Sequence, residues 1–125
     1  MATLELTADN FQDTISSHEI VFLDFWAAWC GPCRAFAPTY EAASEAHPDI
    51  VFGKIDTEAQ QELAATFQIR SIPTIAVIRD NVMVFRESGA LAASALNQVI
   101  EGVRSLDMAA VHAEIAAQQK GDQTG

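Results

Sequence analysis

The chain has 125 residues, 50% of them apolar and 19% charged, enough for one domain around a single core and too few for a second. Its formal net charge of −10 offers no basic stripe to phosphates or to an anionic membrane, so nucleic-acid binding and membrane docking are set aside and the acidity reads as solubility. No window approaches the ~20 apolar residues of a membrane span. The opening MATLELTADN has neither the basic nor the apolar region of a secretory leader, so a cytoplasmic location is expected.

Along the chain, Thr3 to Leu6 alternates weakly and predicts a short strand. Thr7 is expected to cap a helix over 8–17, with Phe11 and Ile15 on one face. Ile20 to Trp26 is an apolar run broken only by Asp24, which fits a central strand buried on both faces. A helix should then run from the cysteine motif to about Ala46, kinked at Pro38, and end at His47-Pro48-Asp49. Ile50 to Ile55 predicts the next strand. Thr57 with Gln60 suits a capping box for a helix through Phe67. Residues 75–79 and 82–87 read as two strands joined by Asp80-Asn81, since both residue types tolerate positive φ.

Leu96, Val99, Ile100 and Val103 follow helical spacing. Ser105 or Asp107 suits the cap of one more helix with a thin stripe of Met108, Val111 and Ile115. That stripe is expected first to pack back on the domain, with a dimer contact and fraying left open. The final KGDQTG reads as disordered. The expected division is therefore a domain over 1–105, a helical extension over 106–119 and a tail over 120–125. The element order βαβαβαββα plus an extra helix gives an α/β fold: a central mixed sheet flanked by helices, parallel in its first part and closed by an antiparallel hairpin.

Two cysteines are too few for a disulfide scaffold, and their spacing points to chemistry. Cys30 and Cys33, at i and i+3 in the first turn of a helix, face the same way at a separation suited to a disulfide, roughly 4.4–6.8 Å between Cα atoms. Cys30 at the helix N-terminus would meet unpaired N–H groups and the positive end of the dipole, which favour a thiolate. Cys33, one turn deeper, should hold its proton longer. The expectation is one exposed thiolate and one shielded thiol. Half a zinc site is the bland alternative, but His18, His47 and His112 show no paired ligand spacing, so no metal is expected.

The stretch Phe25-Trp26-Ala27-Ala28-Trp29-Cys30-Gly31-Pro32-Cys33 resembles the signature of the thioredoxin family, and the resemblance covers about residues 4–104. It implies the thioredoxin fold and a protein-disulfide reductase in which Cys30 attacks and Cys33 resolves. Asp24, in the most apolar strand, should have a raised pKa on burial alone. The resemblance makes it the proton-transfer partner of Cys33. Lys54 resembles the family's buried lysine; it either holds the charge of Asp24 or simply snorkels. Ile72-Pro73-Thr74 matches the family's cis-proline, which would turn the backbone of Ile72 toward a peptide. Gly89-Ala90 matches the third loop of the substrate groove, where glycine permits close approach.

Trp29, Gly31, Pro32, Ile72, Pro73, Gly89 and Ala90 would together form an apolar docking surface around Cys30, with Trp26 as core packing beneath. Ala28 and Asn81 depart from the family's usual polar residue and turn glycine, and the extension beyond 105 departs from its usual end. The resemblance further implies an NADPH-dependent flavoprotein, thioredoxin reductase, as electron donor, and disulfide-containing target proteins as acceptors. No cofactor is expected beyond the Cys30–Cys33 disulfide, because no phosphate-binding glycine loop is present. An oxidase or isomerase is the nearest alternative, opposed by Gly31-Pro32 between the cysteines. A binding or chaperone-like module with incidental redox activity is the other.

Overall fold

A computed structural model describes residues 2–124, with side chains described for 2–119. Strand β2 (Ile20–Trp26) lies at the centre of a sheet ordered β1-β3-β2-β4-β5, where β1 is Thr3–Glu5, β3 Val51–Asp56, β4 Thr74–Arg79 and β5 Val82–Ser88. β1 and β2 both pair parallel with β3, while β4 runs antiparallel to β2 and β5. Helices α1 (Phe11–Ser17), α2 (Gly31–Ala46), α3 (Gln61–Thr66) and α4 (Ala93–Arg104) flank it. This is the mixed sheet with flanking helices expected from the element order.

β2 is apolar throughout because both faces are covered. Ile20 and Phe22 enter one cluster with Phe36 and Tyr40 of α2 and with Leu96 and Ile100 of α4. Val21, Leu23 and Phe25 enter another on the opposite face with Ile15, Ile55 and Phe67. By that alternation Asp24 faces the α2 side. In β3, Gly53 leaves room for Leu6: a Cβ there would overlap the Leu6 side chain and stand 3.2 Å from the carbonyl oxygen of Phe22.

The two threonines behave differently. Thr7 Oγ1 accepts the N–H of Asp9 at 3.2 Å and its carbonyl accepts the N–H of Phe11 at 3.0 Å, the bonds of a cap, but they cap a turn over 8–10 and the regular helix α1 starts only at Phe11. Thr57 donates its hydroxyl to the carbonyl of Trp26 at 3.0 Å, while Asp56 Oδ1 accepts the N–H of Glu58 at 2.9 Å, so α3 begins only at Gln61. α2 continues through Pro38 without a break. The Asp80-Asn81 turn has φ 51° and 66°, the doubly left-handed hairpin connection.

α3 ends on a left-handed residue that is not glycine. Gln68 has φ 54°, and the N–H groups of Gln68 and Ile69 donate to the carbonyls of Ala65 and Ala64, each at 3.0 Å, forming a Schellman cap. Arg86 of β5 offsets the strain by donating to the carbonyls of Phe67 and, at 3.0 Å, Gln68. A second arginine ties down the far end of the fold. Arg79 donates to the carbonyls of Val103 at 2.7 Å and Leu106 at 3.0 Å, fixing the end of α4 to β4.

Beyond this clamp lies α5 (Met108–Thr124). Met108 is buried, and the half-buried Val111 and Ile115 line a cavity of about 220 Å³ with Val82, Met83 and Val84 of β5, so the stripe packs back on the domain. The helical backbone runs past 119, where the sequence suggests an end. The expected disordered tail over 120–125 falls on residues whose side chains, and at Gly125 the backbone, lie outside the described residues. Among the described residues no helix is long and apolar enough to cross a membrane.

Candidate active site

The site forms where β2 stops and α2 starts. Ala27 to Trp29 turn out of the sheet, and Cys30 becomes the N-cap of α2 with extended backbone, φ −84° and ψ 110°. Gly31 and Pro32 follow as the first helical residues, where the missing N–H of proline costs nothing. Cys30 and Cys33 are joined by a disulfide with Cα atoms 5.2 Å apart. The backbone N–H of Cys33 donates to Cys30 Sγ at 3.2 Å. That sulfur thus occupies the position of a capping oxygen, where a negative charge is stabilised by the helix end.

Exposure does not separate the two cysteines as expected. Cys30 is 4% exposed and Cys33 3%. Both pack with Ala27, Trp26 and Ile72. The difference between them is electrostatic: one sulfur caps the helix, the other lies a turn inside it.

A second loop covers the pair. The Ile72–Pro73 peptide bond is cis, and Cys30 Sγ lies 3.8 Å from the carbonyl oxygen of Ile72. Gly89 donates its N–H to the carbonyl of Pro73 at 2.8 Å with φ +106°, which brings the third loop against the second. Trp29, 67% exposed, stands beside them with its Nε1 donating to Glu58 Oε1 at 2.8 Å. Between Trp29, α3 and Ile72 opens a cavity of about 400 Å³, also lined by Ile69, Arg70 and Ser71.

On the α2 side of β2, Asp24 is 1% exposed and its Oδ1 has no hydrogen-bond partner. Burial pushes its carboxyl up from 3.8 to about 7, against the pull of the Lys54 ammonium across the strand pair. Tyr40 of α2, fully buried, donates its hydroxyl to the carbonyl of Gly53 at 2.8 Å. Burial and the nearby Asp24 hold that phenol well above its ordinary value. Among the described residues no group of three His, Cys, Asp or Glu side chains could hold a metal ion.

The Thioredoxin family model matches residues 2–102. The chain belongs to the thioredoxin family. It is 54% identical over 118 residues to "Putative thioredoxin 2" of Streptomyces coelicolor, covering 94% of this chain and 88% of that protein. It is 42% identical to "Thioredoxin C-3" of Corynebacterium nephridii, over 78% of this chain and 68% of that protein. Among solved structures it matches spinach chloroplast thioredoxin f with a TM-score of 0.77 at 33% identity, covering 83% of this chain and 95% of that one. A Plasmodium falciparum thioredoxin matches with a TM-score of 0.73 at 38% identity, covering 78% and 96%. The Streptomyces match is too long to fit within residues 2–102, so it takes in part of the C-terminal extension.

As a thioredoxin-family protein with a cysteine pair at disulfide distance, the chain is a protein-disulfide reductase working by dithiol–disulfide exchange. The structure brings Trp29, Cys30, Gly31, Pro32, Cys33, Ile72, Pro73 and Gly89 together at the start of α2 and the loops against it, while Asp24 and Lys54 stand opposite each other in β2 and β3. Ala90 follows Gly89 on the exposed rim. Trp26 is half-buried under the motif, as the sequence suggests, but its Nε1 has no partner. Sequence reasoning missed Glu58 and Tyr40. A tyrosine about two and a half turns into an amphipathic helix and a glutamate in a loop carry no motif, and only the fold shows what they touch.

Proposed function

We propose that Cys30 is the attacking sulfur, Cys33 the resolving sulfur and Asp24 the group that takes the Cys33 proton. The single observation that carries this reading is the carboxyl of Asp24, buried without a partner on the α2 side of β2 and poised at about 7. In the reduced form, Cys30 thiolate attacks one sulfur of a target disulfide, forming a mixed disulfide and expelling the other target sulfur as a thiolate. Cys33 passes its proton to the Asp24 carboxylate, and its thiolate attacks Cys30 Sγ. The Cys30–Cys33 disulfide forms, the second target thiolate leaves, and two electrons have moved to the target. An acid near neutrality suits both directions of that proton transfer.

Trp29, Ile72, Gly89 and Ala90 form the target-binding rim in this reading, with Gly31, Pro32 and Pro73 supporting the shape around the sulfurs. An extended target segment would pair with the Ile72 backbone and lie against the Trp29 face. Lys54 tempers the charge of Asp24. The electron donor is a thioredoxin reductase of the NADPH-dependent flavoprotein type, and the protein works in the cytoplasm. The existence of a solved ferredoxin:thioredoxin reductase complex with thioredoxin f2, a fold neighbour, makes the donor type a point for experiment.

A coupled assay tests the reading. With NADPH, a flavoprotein thioredoxin reductase and insulin, the wild-type chain should drive continuous NADPH oxidation, and Asp24→Asn should slow it more than tenfold at neutral pH. Full turnover by Asp24→Asn would remove the carboxyl from the proton path.

A further inference from the structure

Lys54 stands directly opposite Asp24 in the register of β2 and β3, where a lysine and a carboxylate would be expected to pair. They form no ion pair; among the described residues those are Arg79–Glu19 and Arg104–Asp49. The Lys54 Nζ instead lies 4.9 Å from the centroid of the Trp26 ring, two residues further along β2 on the same face. The indole face attracts the ammonium through its quadrupole and does so at the half-buried rim, where the cation keeps part of its hydration. No hydrogen bond fixes that indole, since its Nε1 has no partner. Packing against Ala27, Cys30 and Cys33 holds it in place.

We propose that Trp26 is a positioning residue for the exchange reaction: its indole face keeps the Lys54 ammonium off Asp24, so that Asp24 remains basic enough to take the Cys33 proton near neutral pH. The inference rests on reading Asp24 as that proton acceptor. Among the described residues, the other groups facing Asp24 leave Lys54 as its one nearby cation. From α2 come Tyr40, whose hydroxyl is committed to Gly53, and the cysteine pair, which does not titrate when oxidised. From β4 comes Ile75, opposite Asp24 in register. From β3, beyond Lys54, comes Asp56, whose Oδ1 is taken by the Glu58 N–H.

The test is the carboxyl titration of Asp24, followed by carbon NMR in the oxidised protein. Trp26→Leu frees Lys54 to close on Asp24 and should lower the midpoint by about one pH unit, the scale of an opposite charge arriving within ~4–6 Å. Trp26→Phe, which keeps a ring, should lower it less. In a Lys54→Met background Trp26→Leu should leave the midpoint in place. An unchanged midpoint in Trp26→Leu overturns the proposal, and so does a drop that survives in the Lys54→Met background, which would mean water entry. Should Trp26→Leu not fold, the wild-type protein still decides. Its Lys54 ε-methylene protons should be shifted upfield by the indole ring current, and random-coil positions for them overturn the proposal. The Asp24 reading fails separately, through full activity of Asp24→Asn, which leaves these midpoints where they are.

Discussion

The backbone N–H of Cys33 points at Cys30 Sγ from 3.2 Å, so the second cysteine of the motif helps to stabilise negative charge on the first. That asymmetry, with both residues almost equally buried, is what distinguishes attacker from resolver. In the reduced protein, limiting iodoacetamide at neutral pH should alkylate Cys30 at least tenfold faster than Cys33, as read by peptide mass mapping. Equal labelling would mean that the helix end confers no selectivity.

Asp24 should cost stability in a defined pH window. Its carboxyl sits at about 7 in the folded chain against 3.8 when free, so between those values the folded state binds the extra proton and stability falls as pH rises. The penalty is absent below the lower value and complete above the higher one. Removing it should stabilise Asp24→Asn relative to wild type by an amount that grows across that window toward about 4 kcal/mol, less whatever the buried amide costs. Urea unfolding at pH 4 and pH 8 checks it. A stability gap that is the same at both pH values would contradict the raised carboxyl.

What could be read in the sequence was what rests on local chemistry. Ile20–Trp26 announces a buried central strand because a run of that apolarity has nowhere else to go, and its single acid, Asp24, is accordingly the buried one. Asp80-Asn81 announces a left-handed turn because of what those side chains tolerate. Thr57 misled because a hydroxyl that can cap a helix can equally serve a strand carbonyl, and only the tertiary arrangement chooses. Gln68 in a left-handed cap, Arg86 and Arg79 on distant carbonyls and Lys54 over Trp26 depend on residues far apart in the chain, so no spacing rule reaches them. The near-equal burial of Cys30 and Cys33 has the same origin: the Ile72 loop comes over the first turn of α2 from a remote part of the chain.

Gln68→Gly should stabilise the fold by about 1 kcal/mol, because the left-handed position at the end of α3 penalises a residue with a Cβ. Chemical denaturation reads the gain. A loss would show that the Gln68 side chain contributes more than its backbone costs.

Gly53→Ala should lose roughly 1–3 kcal/mol, since the added methyl meets Leu6 and the Phe22 carbonyl in a packed sheet. Thermal or urea unfolding measures it, and a change below about 0.5 kcal/mol would mean that β1 yields at no cost.

Gly89→Ala should act on binding. Its φ of +106° strains any L side chain, although the space around a Cβ is open. Displacing that loop should raise KM for a protein disulfide several-fold while leaving reduction of a small disulfide nearly unchanged. Equal effects on both would place Gly89 outside the target groove.

The assignment of Cys30 as attacker and Cys33 as resolver is tested most directly by trapping. Reduced Cys33→Ser, mixed with a disulfide-bearing target protein, should stop at a covalent adduct whose mass is that of the chain plus the target, with the bond mapped to Cys30 and no second turnover. Turnover by Cys33→Ser at the wild-type rate, or no adduct at Cys30, would contradict the account.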